Sequence, residues 1–138
     1  MPQTVFPCIT FRDAAASIDH LERALGAERV AVYEDDEGRV THAEIRIGES
    51  LFMCGDERSG SKATPPGVSV VYVVVPDADA AYERARAAGA DATAPVDQDY
   101  GSRDVTEPTD QSYGSRDITV TDPDGNRWSL GTYAGAGA

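Results

Sequence analysis

His42 and Glu44 are the side chains of this sequence whose types and spacing most directly suggest chemistry. They lie in the run from Val40 to Ile47, whose alternation predicts a strand, so residues two positions apart share a face. An imidazole beside a carboxylate could act as an acid/base pair or hold a metal ion. The alternative is an exposed polar strand face, since antiparallel sheets alternate polar and apolar residues without any function.

Few other side chains could join such a site. His20 is the only other histidine; it lies off the apolar stripe of a predicted helix, and we expect it to face solvent without a role. Cys8 and Cys54 both lie in apolar runs, so we expect two free cysteines in the core. Free cysteines fit a reducing cytoplasm.

The order of strand and helix signals predicts one α+β domain built from two βαβββ modules. Module one covers about residues 4–55, and module two covers residues 68–133. A linker rich in glycine, serine and proline joins them at 56–67. Each predicted helix begins after an aspartate, Asp13 or Asp77, and these aspartates recur 64 residues apart.

Composition excludes several classes of partner. The 138 residues carry a formal net charge of −12 and a single lysine, so we predict no binding to nucleic acid or to anionic membrane surfaces. The longest apolar run, Val70 to Val75, is too short to span a membrane, which predicts a cytoplasmic protein. Such a surface would attract a cationic small molecule, although acidic side chains also simply maintain solubility.

Three segments carry a resemblance to a known superfamily. They are FRDAAASIDHLERALGAE, VYVVVPDADAAYERARAAGAD and, most specific, DPDGNRWSLGTY, a tight turn between two strands near the C-terminus. Together with the repeat they resemble the vicinal oxygen chelate superfamily, which includes glyoxalase, bleomycin resistance and extradiol dioxygenase proteins. The resemblance implies curved sheets that form half-barrels, with helices on the convex side and a ligand or metal in the concave cup.

The resemblance also identifies four positions where metal-dependent members place His, Glu or Gln. Here these positions hold Phe6, Met53 (or Phe52 if the register slips by one), Val70 and Ser129. Apolar side chains have no donor atom, a thioether is too soft for Zn, Ni, Fe or Mn, and a lone hydroxyl is a weak ligand. We therefore predict a protein without a metal or another cofactor.

Strand alternation within the implied cup predicts which side chains line it. Ala43, Ile45 and Ile47 should face the helices, leaving Val40, His42, Glu44 and Arg46 toward the cup, while Trp128 belongs to the core. The lining is aromatic and apolar and suits a flat ligand, or else these aromatics fill a dimer contact. The predicted ligand-binding residues are Phe6, Cys8, Tyr33, His42, Glu44, Tyr72, Tyr113, Arg116, Ser129 and Tyr133.

A tandem duplication sets this chain apart from the family pattern. The segments 94–106 and 107–119 are identical at nine of thirteen positions. The second copy runs into Ile118 and Val120 and is the better candidate for a strand. Tyr113 and Arg116, or their duplicates Tyr100 and Arg103, could close over a ligand; the alternative is a neutral duplication in solvent.

Three functions follow from these observations. The first is a homodimeric, metal-free protein of the bleomycin resistance type that sequesters an aromatic or cationic drug or metabolite. The second is a glyoxalase-like lyase, isomerase or dioxygenase that uses His42 and Glu44 in a non-standard site. The third is a partner subunit without a small-molecule role, because one fold hosts all three.

Overall fold

Two aspartates begin the two helices of the fold. Asp13 precedes helix α1 (Ala14–Leu25) and Asp77 precedes helix α2 (Ala78–Ala87), and each carboxylate accepts the backbone N–H of the residue three positions later. Helix α1 ends at Gly26, whose φ of 73° is a left-handed conformation that glycine adopts without steric cost. The predicted caps are confirmed. The computed structural model describes residues 2–92, 96–98 and 114–136.

The first module forms a four-stranded sheet in the strand order β1-β4-β3-β2. Strands β1 and β4 are parallel, and the other two pairs are antiparallel. The four strands are β1 (Cys8–Phe11), β2 (Glu28–Glu34), β3 (Val40–Ile47) and β4 (Ser50–Asp56).

The second module repeats this arrangement in the order β5-β9-β8-β6, with β7 pairing the same edge of β8 as β6. Strands β5 and β9 are parallel and β8 and β9 are antiparallel. The strands are β5 (Val70–Val74), β6 (Asp91–Ala92), β7 (Val96–Gln98), β8 (Ser115–Thr121) and β9 (Arg127–Gly131). The second copy of the duplicated segment therefore supplies β8, as the sequence predicts, and the α+β fold of two such modules is confirmed.

One hydrophobic core lies between the two sheets and contains the inner faces of both helices. Phe52 of the first sheet and Trp128 of the second have ring centroids 5.4 Å apart. Trp128 is fully buried, which confirms its predicted core position, and Phe52 is buried while Met53 points to the other face of β4. Since both sheets turn one face to the same core, their remaining faces, called here the open faces, point outward from the chain.

Two sequence expectations about facing are wrong. Val40 does not line the cup: it is buried in the core, because the pairing of β2 with β3 shifts register between Tyr33 and Glu34. Cys8 is not a core residue but lies exposed on the open face, the face expected for its predicted ligand-binding role, whereas Cys54 is buried as expected. Within the described residues, neither helix is long and apolar enough to cross a membrane.

Candidate functional site

Tyr33, His42 and Glu44 form a cluster on the open face of the first sheet. Tyr33 and His42 are register partners on β2 and β3, and their rings stack with centroids 6.0 Å apart. The Nε2 of His42 lies 3.1 Å from Oε2 of Glu44. The strand alternation thus brings the predicted pair into contact, with an aromatic ring against the imidazole. The side chain of His42 is 41% exposed and that of Glu44 is 31% exposed, so the pair is accessible to a ligand.

A groove of about 490 Å³ lies over the same open face. Its floor is formed by residues at the ends of β1, β3 and β4, among them Cys8, Thr10, His42 and Met53. Its wall is formed by the segment between the modules, through Arg58, Ser61, Lys62, Ala63 and Thr64. The volume falls within the range of small-molecule sites in proteins. The segment predicted as a linker therefore also encloses a site.

The two cysteines stand in different environments beside this groove. The Cys8 side chain is exposed, and its Sγ lies 3.7 Å from the carbonyl oxygen of Phe6. Burial raises the pKa of the Cys54 thiol to about 12, with a smaller contribution from the charge of Asp56. Because the thiolate is the reactive form of cysteine, Cys54 is inert at neutral pH. A thiol reagent in the groove would react with Cys8.

The open face of the second sheet carries a hydrogen-bonded polar cluster. The Tyr72 hydroxyl donates to the carbonyl oxygen of Tyr133 at 2.9 Å, and the N–H of Tyr133 donates to Ser115 Oγ at 3.2 Å. The Ser115 hydroxyl in turn donates to the carboxylate of Asp117. Gly131 lies directly beneath them. A Cβ at this position would overlap the Asp117 carboxylate and the Tyr72 hydroxyl, so the cluster requires a glycine here. The cluster fixes Tyr72 and Tyr133 in place.

The Asp117 carboxyl of this cluster has a shifted pKa. Burial raises its pKa above the ordinary value, and the hydrogen bond from Ser115 opposes that shift. A carboxyl group with a raised pKa can serve as a proton donor or acceptor closer to neutral pH than an exposed aspartate. Ser129 lies between Tyr72 and Thr119 in the strand register of this face.

Two predicted site residues, Phe6 and Arg116, differ from their expected placement, and a third, Tyr113, lies outside the described residues. Phe6 precedes β1, which begins at Cys8, and is half-buried. Arg116 lies on the helix side of β8, where its Nε is 2.9 Å from Oδ2 of Asp79 on α2, so it does not close over the open face. This ion pair lowers the pKa of Asp79, chiefly through the hydrogen bond. Tyr113, with the duplicates Tyr100 and Arg103, lies outside the described residues.

His20 also departs from expectation, since it is not a solvent-facing residue. Its Nδ1 is buried and has no hydrogen-bond partner in the part of the chain that the structure describes. Desolvation lowers the pKa of the ring, while the nearby charge of Asp122 acts in the opposite direction. His20 is therefore a neutral residue packed on α1 at physiological pH.

Sequence reasoning missed the cationic wall of the groove and the Ser115–Asp117 pair. The segment that forms the wall has no periodic pattern that could have placed it, although it contains the only lysine of the sequence, Lys62. Ser115 and Asp117 alternate with the apolar Ile118 and Val120 of the predicted strand, so alternation could have placed Asp117 on the open face.

The side chains at the positions where metal-dependent relatives hold their metal decide whether this chain suits the same ion. On the first sheet, Phe6 has no donor atom, and Met53, whose register partner is Cys8, offers a thioether where hard metal ions require oxygen or nitrogen. Val70 and Ser129 add no strong donor on the second sheet. Within residues 2–92, 96–98 and 114–136, no three His, Cys, Asp or Glu side chains group as a metal site. The donor set does not fit the family's metal.

Comparison with known proteins agrees with this fold. The model of the Glyoxalase/Bleomycin resistance protein/Dioxygenase superfamily matches residues 4–130. An uncharacterized protein of Mycobacterium bovis is 31% identical over 134 residues, which cover 91% of this chain and 80% of that protein.

Solved structures of other proteins share the architecture at low identity. TioX from Micromonospora sp. ML1 has a TM-score of 0.65 at 22% identity, covering 94% of each chain. A bleomycin resistance determinant encoded on the transposon Tn5 has a TM-score of 0.64 at 16% identity, covering 96% of this chain and 99% of that chain. At these identities the structures support the fold alone. The family match over most of the sequence supports more: the chain belongs to the glyoxalase/bleomycin resistance protein/dioxygenase superfamily.

Proposed function

We propose that this protein binds and sequesters a small aromatic drug or metabolite on its open faces, without a resident metal, as a homodimer. The observation that carries the proposal is the character of the open faces. They present an accessible Tyr33 and a groove of about 490 Å³, and the described residues contain no group of three His, Cys, Asp or Glu side chains that could hold a metal. Aromatic walls favour a flat ligand through area burial and ring stacking.

The residue chemistry supports a binding role without a metal. At the family's ligand positions, Phe6 and Val70 have no donor atom and Met53 offers only a thioether. Ser129 is a neutral hydroxyl, which binds Zn, Ni, Fe or Mn weakly by itself. A similar fold occurs in a bleomycin resistance determinant. That likeness makes drug sequestration a reasonable first assay.

Exposed apolar residues on the open faces support the dimer. Val70 and Val74 of β5 are 65% and 53% exposed, and Tyr33 of β2 is 59% exposed. In the proposed dimer, the first module of one chain faces the second module of its partner. Each pair of open faces would then form one closed cup around a ligand.

The proposal is tested by native mass spectrometry with metal analysis, followed by a thermal-shift screen of aromatic drugs. We expect a metal-free dimer that a subset of flat compounds stabilises. Tyr33→Ala should weaken their binding about tenfold, because it removes a stacking surface, whereas Val30→Ala on the same strand should not. A stoichiometric metal whose removal abolishes an activity would overturn the proposal.

One observation favours a second candidate function, an enzyme of the lyase, isomerase or dioxygenase type. The contact of 3.1 Å between His42 and Glu44 at the groove gives an accessible acid/base pair. If it acts in catalysis, His42→Ala should abolish turnover of a substrate found in a screen of such reactions. If His42 is only a polar surface residue, the same substitution should leave ligand affinity nearly unchanged. His20→Ala is the matched control.

A further inference from the structure

The groove on the first open face has two cations on its wall that form no ion pair with a carboxylate in the part of the chain that the structure describes. Arg58 and Lys62 line it from the segment between the modules. Among the described residues, neither lies within ion-pair distance of an acidic side chain, whereas Arg12, Arg29, Arg46 and Arg116 do. The hydrogen bond of Arg58 to the carbonyl oxygen of Thr41 is long, at 3.5 Å. Both cations are therefore available to a ligand.

The acidic residue that lines this groove is already engaged by the backbone. Asp56 accepts the N–H of Ala14 through Oδ1 and the N–H of Val40 through Oδ2, each at 2.7 Å. These bonds tie the start of α1 and the start of β3 to the end of β4. The described lining thus carries two cations and one carboxylate, one more positive than negative charge; Glu44 is outside the lining, and its carboxylate is paired with the Nε2 of His42 at 3.1 Å. This sign is opposite to the net charge of −12 of the whole chain.

We propose that the groove binds an organic anion, whose carboxylate, sulfonate or phosphate group lies against Arg58 and Lys62 and whose apolar part lies over Met53. The inference rests on the proposed function and names the ligand class of that site. Charges beyond about 8–10 Å are largely screened at physiological ionic strength, so the nearest side chains set the potential that a ligand meets. The acidic surface elsewhere does not decide the ligand, and the cationic ligand suggested by net charge is not favoured here.

Cys8 allows this potential to be measured without knowing the ligand. Its exposed thiol lies on the groove floor, and the buried Cys54, with a pKa of about 12, does not compete. Two methanethiosulfonate reagents, one carrying a sulfonate and one a trimethylammonium group, differ chiefly in charge. The measured quantity is the rate at which the anionic reagent modifies Cys8 divided by the rate of the cationic reagent. Dividing this ratio by the same ratio for 2-mercaptoethanol removes the intrinsic difference in reactivity between the two reagents and gives the normalised ratio.

We expect a normalised ratio above one in the wild-type protein, despite its net negative charge. The double variant Arg58→Gln with Lys62→Gln should lower the ratio about threefold or more, and added salt should reduce the wild-type preference. The control is Arg23→Gln with Arg86→Gln. It changes the net charge equally at exposed helix positions that do not line the groove. The control should leave the ratio unchanged.

The ligand class is then tested by protection of Cys8. The anionic dye 8-anilinonaphthalene-1-sulfonate should slow the reaction of Cys8 with uncharged iodoacetamide more than the cationic dye proflavine does. Stronger protection by proflavine would overturn the proposal. It would also be overturned by a wild-type ratio below one, by a ratio that the groove variant leaves unchanged, or by a Cys8 that reacts with neither reagent. Because the ratio is measured without ligand, a failed drug screen would count against the proposed function alone.

Discussion

A single carboxylate organises the turn between β8 and β9. Asp122 accepts the backbone N–H groups of Asp124, Gly125 and Asn126 at 3.0 to 3.1 Å through Oδ1. Its Oδ2 accepts the Nδ2 of Asn126 at 2.9 Å and the Nε1 of Trp128 at 3.0 Å. Five donors on one buried side chain satisfy a turn that would otherwise leave polar groups without partners. The Asp-Pro-Asp-Gly-Asn motif is thus explained by its first residue.

Replacing Asp122 by alanine should destabilise the protein by about 3 kcal/mol or more, because buried donors lose their acceptor. The Nε1 of Trp128 is the costliest of them, since that side chain is fully buried. The matched control is Asp35→Ala, which removes an exposed acceptor of two backbone N–H groups in another turn and should cost about 1 kcal/mol. Urea unfolding of both variants decides the point. Equal losses would contradict the role assigned to Asp122.

Because the Cys54 thiol is buried, we expect the protein to lose stability at alkaline pH. The thiol pKa is about 12 in the folded protein, against an ordinary value of 9.0 for an exposed thiol. Below pH 9 the thiol is protonated in both the folded and the unfolded state, so it does not change the free energy of unfolding. Above pH 9 the unfolded chain releases the thiol proton first, so the free energy of unfolding falls as pH rises. The loss should approach about 1.4 kcal/mol per pH unit until the folded thiol titrates.

The measurement is the free energy of unfolding of wild type and Cys54→Ala between about pH 8 and about pH 10.5. The variant starts less stable because it leaves a small cavity in the core. Its stability should nevertheless fall less steeply with pH, since it has no buried thiol to keep protonated. Parallel curves for the two proteins would show that Cys54 does not contribute.

At the scale of elements, the two helices begin in the same way but are buried to different degrees. The buried residues of α1 include Ile18 and Leu21, whereas the buried residues of α2 are the alanines Ala78 and Ala85. Apolar burial supplies most helix stability in proteins, and α2 buries less apolar surface than α1. The cap therefore contributes a larger share of the stability of α2.

Asp13→Ala and Asp77→Ala should each lower the free energy of unfolding by about 1 kcal/mol, because each removes the acceptor of a free N–H at a helix start. Asp13→Asn and Asp77→Asn should cost only a few tenths of that, since asparagine caps nearly as well. Thermal unfolding of the four variants provides the test. An asparagine variant as unstable as its alanine counterpart would show that charge, and not capping, is what matters.

The elements that sequence predicted best are those fixed by local chemistry. The helix caps, the left-handed Gly26 and the range Val40–Ile47 all follow from short-range rules. Val40 itself was misplaced because a register shift changes which face a residue takes, and alternation alone carries no sign of it. The cationic wall of the groove was missed for a different reason: the segment at 56–67 has no periodicity, and only tertiary folding brings Arg58 and Lys62 over β1.

At the scale of the molecule, the helices lie on the core side of both sheets, so within the described residues neither open face is covered by a helix. The contact between Phe52 and Trp128 shows that the two sheets share a core, so each turns its other face outward. The cluster around Tyr33 and the polar cluster around Tyr72 consequently lie on opposite sides of one chain. A second copy of the chain is the simplest cover for both, because two such chains can pair unlike faces twice.

The proposed dimer predicts that charges on β5 will separate the chains. Val70→Asp together with Val74→Asp places two carboxylates on an apolar part of the open face, where burial against a partner would cost several kcal/mol. The variant should run as a folded monomer in size-exclusion chromatography with light scattering, and it should lose the aromatic ligand because each cup is then open. The control adds the same charge at exposed positions in the first turn of α1, Ala15→Asp with Ala16→Asp, where acidic residues are tolerated. A wild-type protein that is monomeric at micromolar concentration, or a β5 variant that stays dimeric, would contradict the arrangement of faces proposed here.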